Sequence, residues 1–396
     1  MNTGLFSLPF RFAATGILAC IGGATTALSA SPFLSIGNAV DVFFDGSATY
    51  RYTTNVFNAP DNENDHIFIL SPGIEAVFGR NSLITTSLEA RYDIIRYADF
   101  SVADAENLNL ILTSRYNGPR LSATGTFSFE QITQNTSALV GGLVLNDLID
   151  RNVLTFGVSG SYRVSEKIST TFGGSYERET FQNFEAAFND RQTFTVPLRA
   201  FYQLTPKIDV GGGYRFRFTD VDANAAGGGA AIDRTDHFFS ISTRGEFFPK
   251  LSGELDLGIG LRTFDDDTDS EVNFSVDGGL DYAYSSKLAF GLDLGRDFET
   301  GGAGSSIQRT EVALNANYAY SSRISAGTRL EYQRDSFEQL VAPRVDNIYT
   351  GSVFASYAFN RYFSFSASYA YQDVNSDAFN VSYNAHNISI SAGVRY

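Results

Sequence analysis

Three histidines, His66, His237 and His386, are the natural general bases of this chain, and serines and aspartates lie close to each of them. A base within hydrogen-bond reach of a hydroxyl could support hydrolysis. Serine and aspartate are so frequent here that such pairings have no specificity, and solvated histidines at strand ends are the preferred reading. No Gly-x-Ser-x-Gly elbow, zinc-helix signature or phosphate loop is present. The run Phe264-Asp265-Asp266-Asp267-Thr268-Asp269-Ser270-Glu271 could attract Ca²⁺ or Mg²⁺, but it lacks the central Gly and terminal Glu of a calcium loop, so a solvated loop is expected. Neither an enzyme nor a resident metal or cofactor is expected.

A second set of charged residues is ordered along the chain. Arg163, Arg199, Arg215 and Arg217 come first, and Glu254, Asp256, Asp277, Asp281, Asp293 and Asp297 follow. Residues of one sign grouped in this way act through whatever surface they share, so the elements that carry them decide their meaning.

Those elements read as strands. Val272, Phe274, Val276, Gly278, Leu280 and Tyr282 alternate with Asn273, Ser275, Asp277, Gly279 and Asp281. The same period of two appears in Leu288 to Gly295 and in Phe363 to Tyr371, and again in the last ten residues. There Ile388, Ile390, Ala392, Val394 and Tyr396 share one face, against Asn387, Ser389, Ser391, Gly393 and Arg395 on the other. A polar face on almost every strand cannot be the dry core of a sandwich, and it reads as a wet lumen.

Short and long connections alternate without a break. The short turns are 79–82, 117–120, 165–167, 205–207, 249–250, 285–287, 321–323 and 360–361, rich in Gly, Pro, Asn and Ser. The long connections centre on 55–65, 99–105, 134–148, 181–190, 219–234, 264–270, 299–306, 336–346 and 374–384. The only lysines, Lys167, Lys207, Lys250 and Lys287, all sit at short turns, and Arg80, Arg120, Arg323 and Arg361 serve the other four. One long cation per turn suits the rim of an apolar band, and a soluble propeller has no reason to sort its lysines so. Tyr50, Tyr52, Tyr116, Tyr162, Tyr202, Phe247, Tyr284, Tyr320, Tyr357 and Phe359 lie near strand ends, where aromatic girdles form.

Composition agrees. Phe 35 and Tyr 21 with Trp 0, Gly 36 and one Met describe a β-rich chain. A mean hydropathy of −0.11 is what strands alternating between lipid and water average to. A net charge of −15 argues against nucleic acid as a partner. Residues 1–30 have the outline of a secretory signal peptide: Arg11, an apolar run from Phe12 to Gly22, and Ala27-Leu28-Ser29-Ala30 before a cleavage site near Ala30. Ile17 to Cys20 also resembles a degenerate lipoprotein box, but Cys20 is preferred as an apolar filler of the leader.

The pattern predicts an all-β fold: one transmembrane, antiparallel, up-and-down β-barrel of about 18 strands, with 16 as the alternative count. A periplasmic segment 31–41 would precede a barrel of 42–396, whose last strand closes on a first strand at Phe43 to Thr54. In that barrel the four arginines and six carboxylates point inward as a basic and an acidic wall across a pore. The alternative is that they neutralise one another in paired networks.

The whole mature chain resembles bacterial outer-membrane β-barrels of the porin type. Tyr50-Arg51-Tyr52-Thr53-Thr54-Asn55-Val56-Phe57 is similar to the Tyr-x-x-Asn-(Ile/Val)-Phe segment that opens a porin-like barrel family, some of whose members accompany exopolysaccharide genes. That family usually has an acidic residue where this chain has Thr54. The resemblance implies an outer-membrane location, with Tyr396 as the terminal assembly signal. It also implies lipid, lipopolysaccharide and the assembly machinery as partners, and allows a homo-oligomer. The expected function is passive diffusion of small polar solutes or oligosaccharides. A structural or exopolysaccharide-export barrel with an occluded lumen is the alternative.

Overall fold

A computed structural model describes residues 31–37, 39–80, 82–135, 147–223, 231–265, 270–337 and 343–396. Cys20, the rest of the leader, and Asp266, Asp267 and Asp269 of the acidic run lie outside the described residues.

Apart from one 3-10 turn at Ser101–Ala103, the described elements are strands. A short β1 (Leu34–Ile36) precedes β2 (Val40–Thr53), β3 (Asp65–Phe78), β4 (Ile84–Tyr97), β5 (Ala105–Asn117), β6 (Leu121–Asn135) and β7 (Leu148–Arg163). Then come β8 (Ile168–Phe181), β9 (Arg191–Gln203), β10 (Ile208–Val221), β11 (Arg234–Phe248), β12 (Leu251–Phe264) and β13 (Ser270–Tyr282). The chain ends with β14 (Leu288–Thr300), β15 (Ser306–Ala319), β16 (Ile324–Phe337), β17 (Arg344–Ala358), β18 (Phe363–Ser376) and β19 (Tyr383–Arg395).

Strands β2 to β19 pair antiparallel in sequence order and close into an 18-strand barrel, with β1 outside it. Closure is direct: Asn387 pairs with Thr53, Ser391 with Thr49, and Arg395 with Asp45. The terminal residue joins in, because Tyr396 exchanges two backbone bonds with Phe44, at 2.7 and 2.8 Å. The first barrel strand begins at Val40, before Phe43, because Val40 to Val42 already pair with β3 on one side and β1 on the other.

The eight expected turns join strands at one rim, and the strand ends that flank the nine expected long connections lie at the opposite rim. Alternation decides which face looks out. Ile388 and Ile390 of β19, Phe363 and Phe365 of β18 and Val272 and Phe274 of β13 are exposed on the membrane side. Tyr162, Tyr202, Tyr284, Tyr320, Tyr357 and Phe359 are exposed near the short turns. Lys250 and Lys287 bond the carbonyls of Tyr284 and Tyr320, at 2.8 and 3.1 Å. The ladder skips at two prolines, which donate no bond: at Pro72 between β3 and β4, and at Pro197 between β8 and β9.

Candidate functional site: the inner face

One residue in two of every barrel strand faces inward, so the inner surface can be read strand by strand. Arg199, Arg215 and Arg217 lie there on β9 and β10, and Glu254, Asp256, Asp293 and Asp297 on β12 and β14. Instead of standing apart, the two groups meet. Arg199 reaches Glu254 at 3.0 Å and also bonds Asp256. Arg215 holds Asp297 at 2.6 Å, and Arg217 holds Asp236 at 2.7 Å and Asp297 at 3.4 Å. Asp293 pairs with Arg329 of β16 at 3.0 Å. Three strand spacings separate β9 from β12, roughly 14 Å along a flat sheet. Only curvature of the wall, with both side chains pointing to its concave side, lets one arginine span it.

Asp277, Asp281 and Arg163 take part in no ion pair among the described residues. Asp277 is the cross-strand neighbour of Asp256, while Asp281 and Arg163 are exposed near the short-turn rim.

Pairing goes further than those ten residues. Asp236 is fully buried between Arg217 and Arg262, and Arg262 grips both its oxygens, at 2.6 and 2.8 Å. Glu179 of β8 lies buried between Arg151 and Arg191, and Arg309 holds Asp335 through two bonds, at 2.9 and 3.1 Å. Buried charges persist where each is paired, and breaking one side is costly. The β8 to β16 side of the inner face is therefore charged and largely paired within itself.

The other side carries a row of hydroxyls beside further ion pairs, Arg91 with Asp45 and Glu89, and Arg395 with Glu75. Ser325, Ser356, Ser366, Ser391 and Thr49 are successive cross-strand partners on β16, β17, β18, β19 and β2. Two contacts along the row are hydrogen bonds, Ser325 to Ser356 at 2.6 Å and Thr49 to Ser391 at 2.8 Å. The remaining hydroxyl capacity of these partly exposed residues faces the lumen.

The long-connection rim is partly covered from within. Asn55 is buried, donates to the Ala59 and Asn384 carbonyls and to Asn62, and accepts from the Ala59 amide. The turn so formed drives Val56 and Phe57 into a cluster with Ala59, Ala103 and Leu148. Next to it Ile149, Phe181 and Phe188 form a second cluster. Asn189 then bonds the Gly302 carbonyl at 2.9 Å, tying the 182–190 connection to 301–305.

The histidines face the membrane. Each pairs through Nδ1 with a tyrosine hydroxyl on the adjacent strand: His66 with Tyr50 at 2.7 Å, His237 with Tyr214 at 2.8 Å and His386 with Tyr369 at 2.9 Å. They form part of an aromatic belt near the long-connection rim. No group of metal-binding side chains occurs among the described residues.

A family model described as "Putative beta-barrel porin 2" matches residues 45–396. The chain belongs to this family. As a member of the porin 2 family it is a bacterial outer-membrane β-barrel of the porin type, a channel architecture. No curated protein matches it. Among solved structures it resembles a BenF-like porin from Pseudomonas fluorescens Pf-5, with a TM-score of 0.50 and 7% identity, covering 90% of this chain and 99% of that one. It also resembles the outer membrane protein opdK from Pseudomonas aeruginosa, with a TM-score of 0.49 and 9% identity over 90% and 99% of the two chains. At such identities the likeness is one of fold alone.

Arg191, Arg234, Arg262, Asp236 and Glu179 did not emerge from the sequence as site residues. Inward parity alone would have flagged them, because Arg262, Asp236 and Arg234 keep the alternation of their strands.

Proposed function

We propose that this porin conducts uncharged, hydroxyl-rich solutes by passive diffusion along the wall formed by β16, β17, β18, β19 and β2. The observation that carries this reading is the division of the inner face. On one side guanidinium and carboxylate groups hold each other; on the other a row of hydroxyls has free donors and acceptors. A sugar exchanging water for serine hydroxyls loses little hydrogen bonding, whereas an ion meets no fixed counter-charge along that row. In this reading Arg199, Arg215 and Arg217 with Glu254, Asp256, Asp277, Asp293 and Asp297 shape the charged edge of the path, and Arg163 and Asp281 lie at its periplasmic mouth.

Swelling of liposomes carrying the folded protein tests the reading. Neutral mono- and disaccharides should enter faster than gluconate or glucosamine of similar size. Equal rates for all of them would remove the solute preference, and tight liposomes would remove the channel itself. The covered rim favours the second outcome enough to keep an occluded, structural barrel as the competing reading. The leader 1–30, a periplasmic 31–41, Tyr396 as an assembly signal, contact with lipopolysaccharide and self-association belong to the same proposal. In support of the assembly role, Tyr396 is exposed, with its ring 6.0 Å from Phe33 and 5.2 Å from Tyr362.

A further inference from the structure

Above the pair Val276–Arg296 the ladder between β13 and β14 stops, although both strands continue. Ser270 to Ser275 pair with β12 alone, and Asp297 to Thr300 with β15 alone. The upper part of β14 lies inside the barrel instead. By alternation Phe298 belongs to the membrane-facing set of β14, with Phe290, Leu292 and Leu294, yet it is fully buried. Its ring lies 6.0 Å from that of Phe238 and 4.6 Å from the Arg262 guanidinium, both on the inner face. Gly260 makes room for both rings, since a Cβ there would come within 2.7 Å of the Phe238 ring and 3.1 Å of the Phe298 ring.

Arginines of three other strands hold this segment. Arg217 donates to the Phe298 carbonyl at 2.7 Å, Arg262 to Glu299 at 2.9 Å and Arg191 to Thr300 at 2.7 Å. Arg234 bonds the Gly304 carbonyl across the hairpin. Side chains thus do what the β13 ladder would do. Among the described residues the β13 edge has no partner strand beside Val272 and Phe274, which are 66% and 54% exposed to the membrane side. Strand edges are costly where lipid surrounds them, and barrels normally abolish them.

The sequence contains the missing register. Continued from Val276–Arg296, it sets Ser275 opposite Asp297, Phe274 opposite Phe298, Asn273 opposite Glu299 and Val272 opposite Thr300. That places two phenylalanines together toward lipid and two carboxylates toward the lumen, as barrel alternation requires. We propose that the vacant β13 edge is a docking site for the upper half of β14, so that the β14–β15 hairpin has two seats. In the tucked seat arginines hold it inside the barrel; in the zipped seat it completes the wall and clears the outer half of the lumen.

Paired cysteines in a Cys20→Ser background test this on the full-length protein in bilayers. Phe274→Cys with Phe298→Cys can be joined only in the zipped seat, and Gly260→Cys with Phe298→Cys only in the tucked one, using a short thiol cross-linker. Both pairs should cross-link in protein that shows heat-modifiable migration. The first should raise single-channel conductance at least two-fold, reversed when a cleavable linker is reduced, and the second should lower it. Arg191→Gln with Arg262→Gln should increase the yield of the first cross-link without any cysteine at Gly260. Tucked cross-linking alone, in folded protein, would overturn the proposal. So would dimers cross-linked through Phe274→Cys alone, since a second copy would then occupy the edge. The channel reading enters only through conductance: cross-links that form without current would retain the two seats while removing the channel.

Discussion

Asp236 shows what a single residue does in this wall. It is the shared counter-ion of Arg217 and Arg262, with no exposed surface, so Asp236→Ala would leave two buried guanidinium groups uncompensated. Removing one member of a buried pair costs about 3–5 kcal/mol, so the variant should unfold at clearly lower denaturant, read by intrinsic tyrosine fluorescence in lipid vesicles. Arg199 predicts a functional change instead. Arg199→Gln frees Glu254 and Asp256 beside Asp277, so planar-bilayer reversal potentials in a salt gradient should shift toward cation selectivity, by a few-fold in permeability ratio. An unchanged ratio would place these carboxylates outside the conduction path. At this scale the sequence was half legible. Which residues point inward follows from alternation, but which charges touch depends on wall curvature, a property no local pattern carries. Reading Arg199 and Glu254 as members of separate walls follows from their order in the chain, whereas the fold makes them a pair.

Strands and turns were the most legible elements, because a period of two and one cation per short turn are local properties. All eight tight turns fall where Gly, Pro, Asn, Ser and a basic residue coincide, and the strand count agrees with the expected value. Long connections were harder to read, since loops that line a mouth and loops that float above it share a composition. The 54–64 connection illustrates this. Asn55-Val56-Phe57, the local motif behind the family resemblance, is a latch: asparagine closes the turn and the two apolar residues seat it. Thr54 stands where an acid is usual, and its hydroxyl accepts from the His386 amide at 2.9 Å, fixing the seam between first and last strands. Asn55→Ala strands buried donors and acceptors, a loss of about 1–3 kcal/mol local to the latch. The barrel should still fold, while conductance rises and protease cuts between residues 54 and 64. A variant that resists protease like the wild type would show that the apolar cluster alone holds the connection.

At the scale of the whole molecule, the seam between β2 and β19 separates two roles that the carboxyl terminus combines. Energetically β19 is one strand among 18, and its pairing with β2 is what closes the sheet on itself. In assembly, its terminal Tyr396 is proposed to be read before the barrel exists. Both ends of the barrel strands lie at the short-turn rim, where Arg395 and Tyr396 meet Asp45 and Phe44. A short linker between Tyr396 and the first barrel strand, with new termini opened at the Ser165–Lys167 turn after Arg163 of β7, would keep every ladder and every inward pair. Such a permutant should refold from urea into detergent with the heat-modifiable migration of the parent, because none of its contacts depends on chain order. In cells it should fail to reach the outer membrane, because its carboxyl terminus would no longer be the aromatic end of a strand. Restoring export by opening the termini after another strand that ends in an aromatic, such as Tyr282 of β13, would locate the signal in that end alone. Failure of the permutant to refold in vitro would mean instead that β19 also nucleates the closing of the wall.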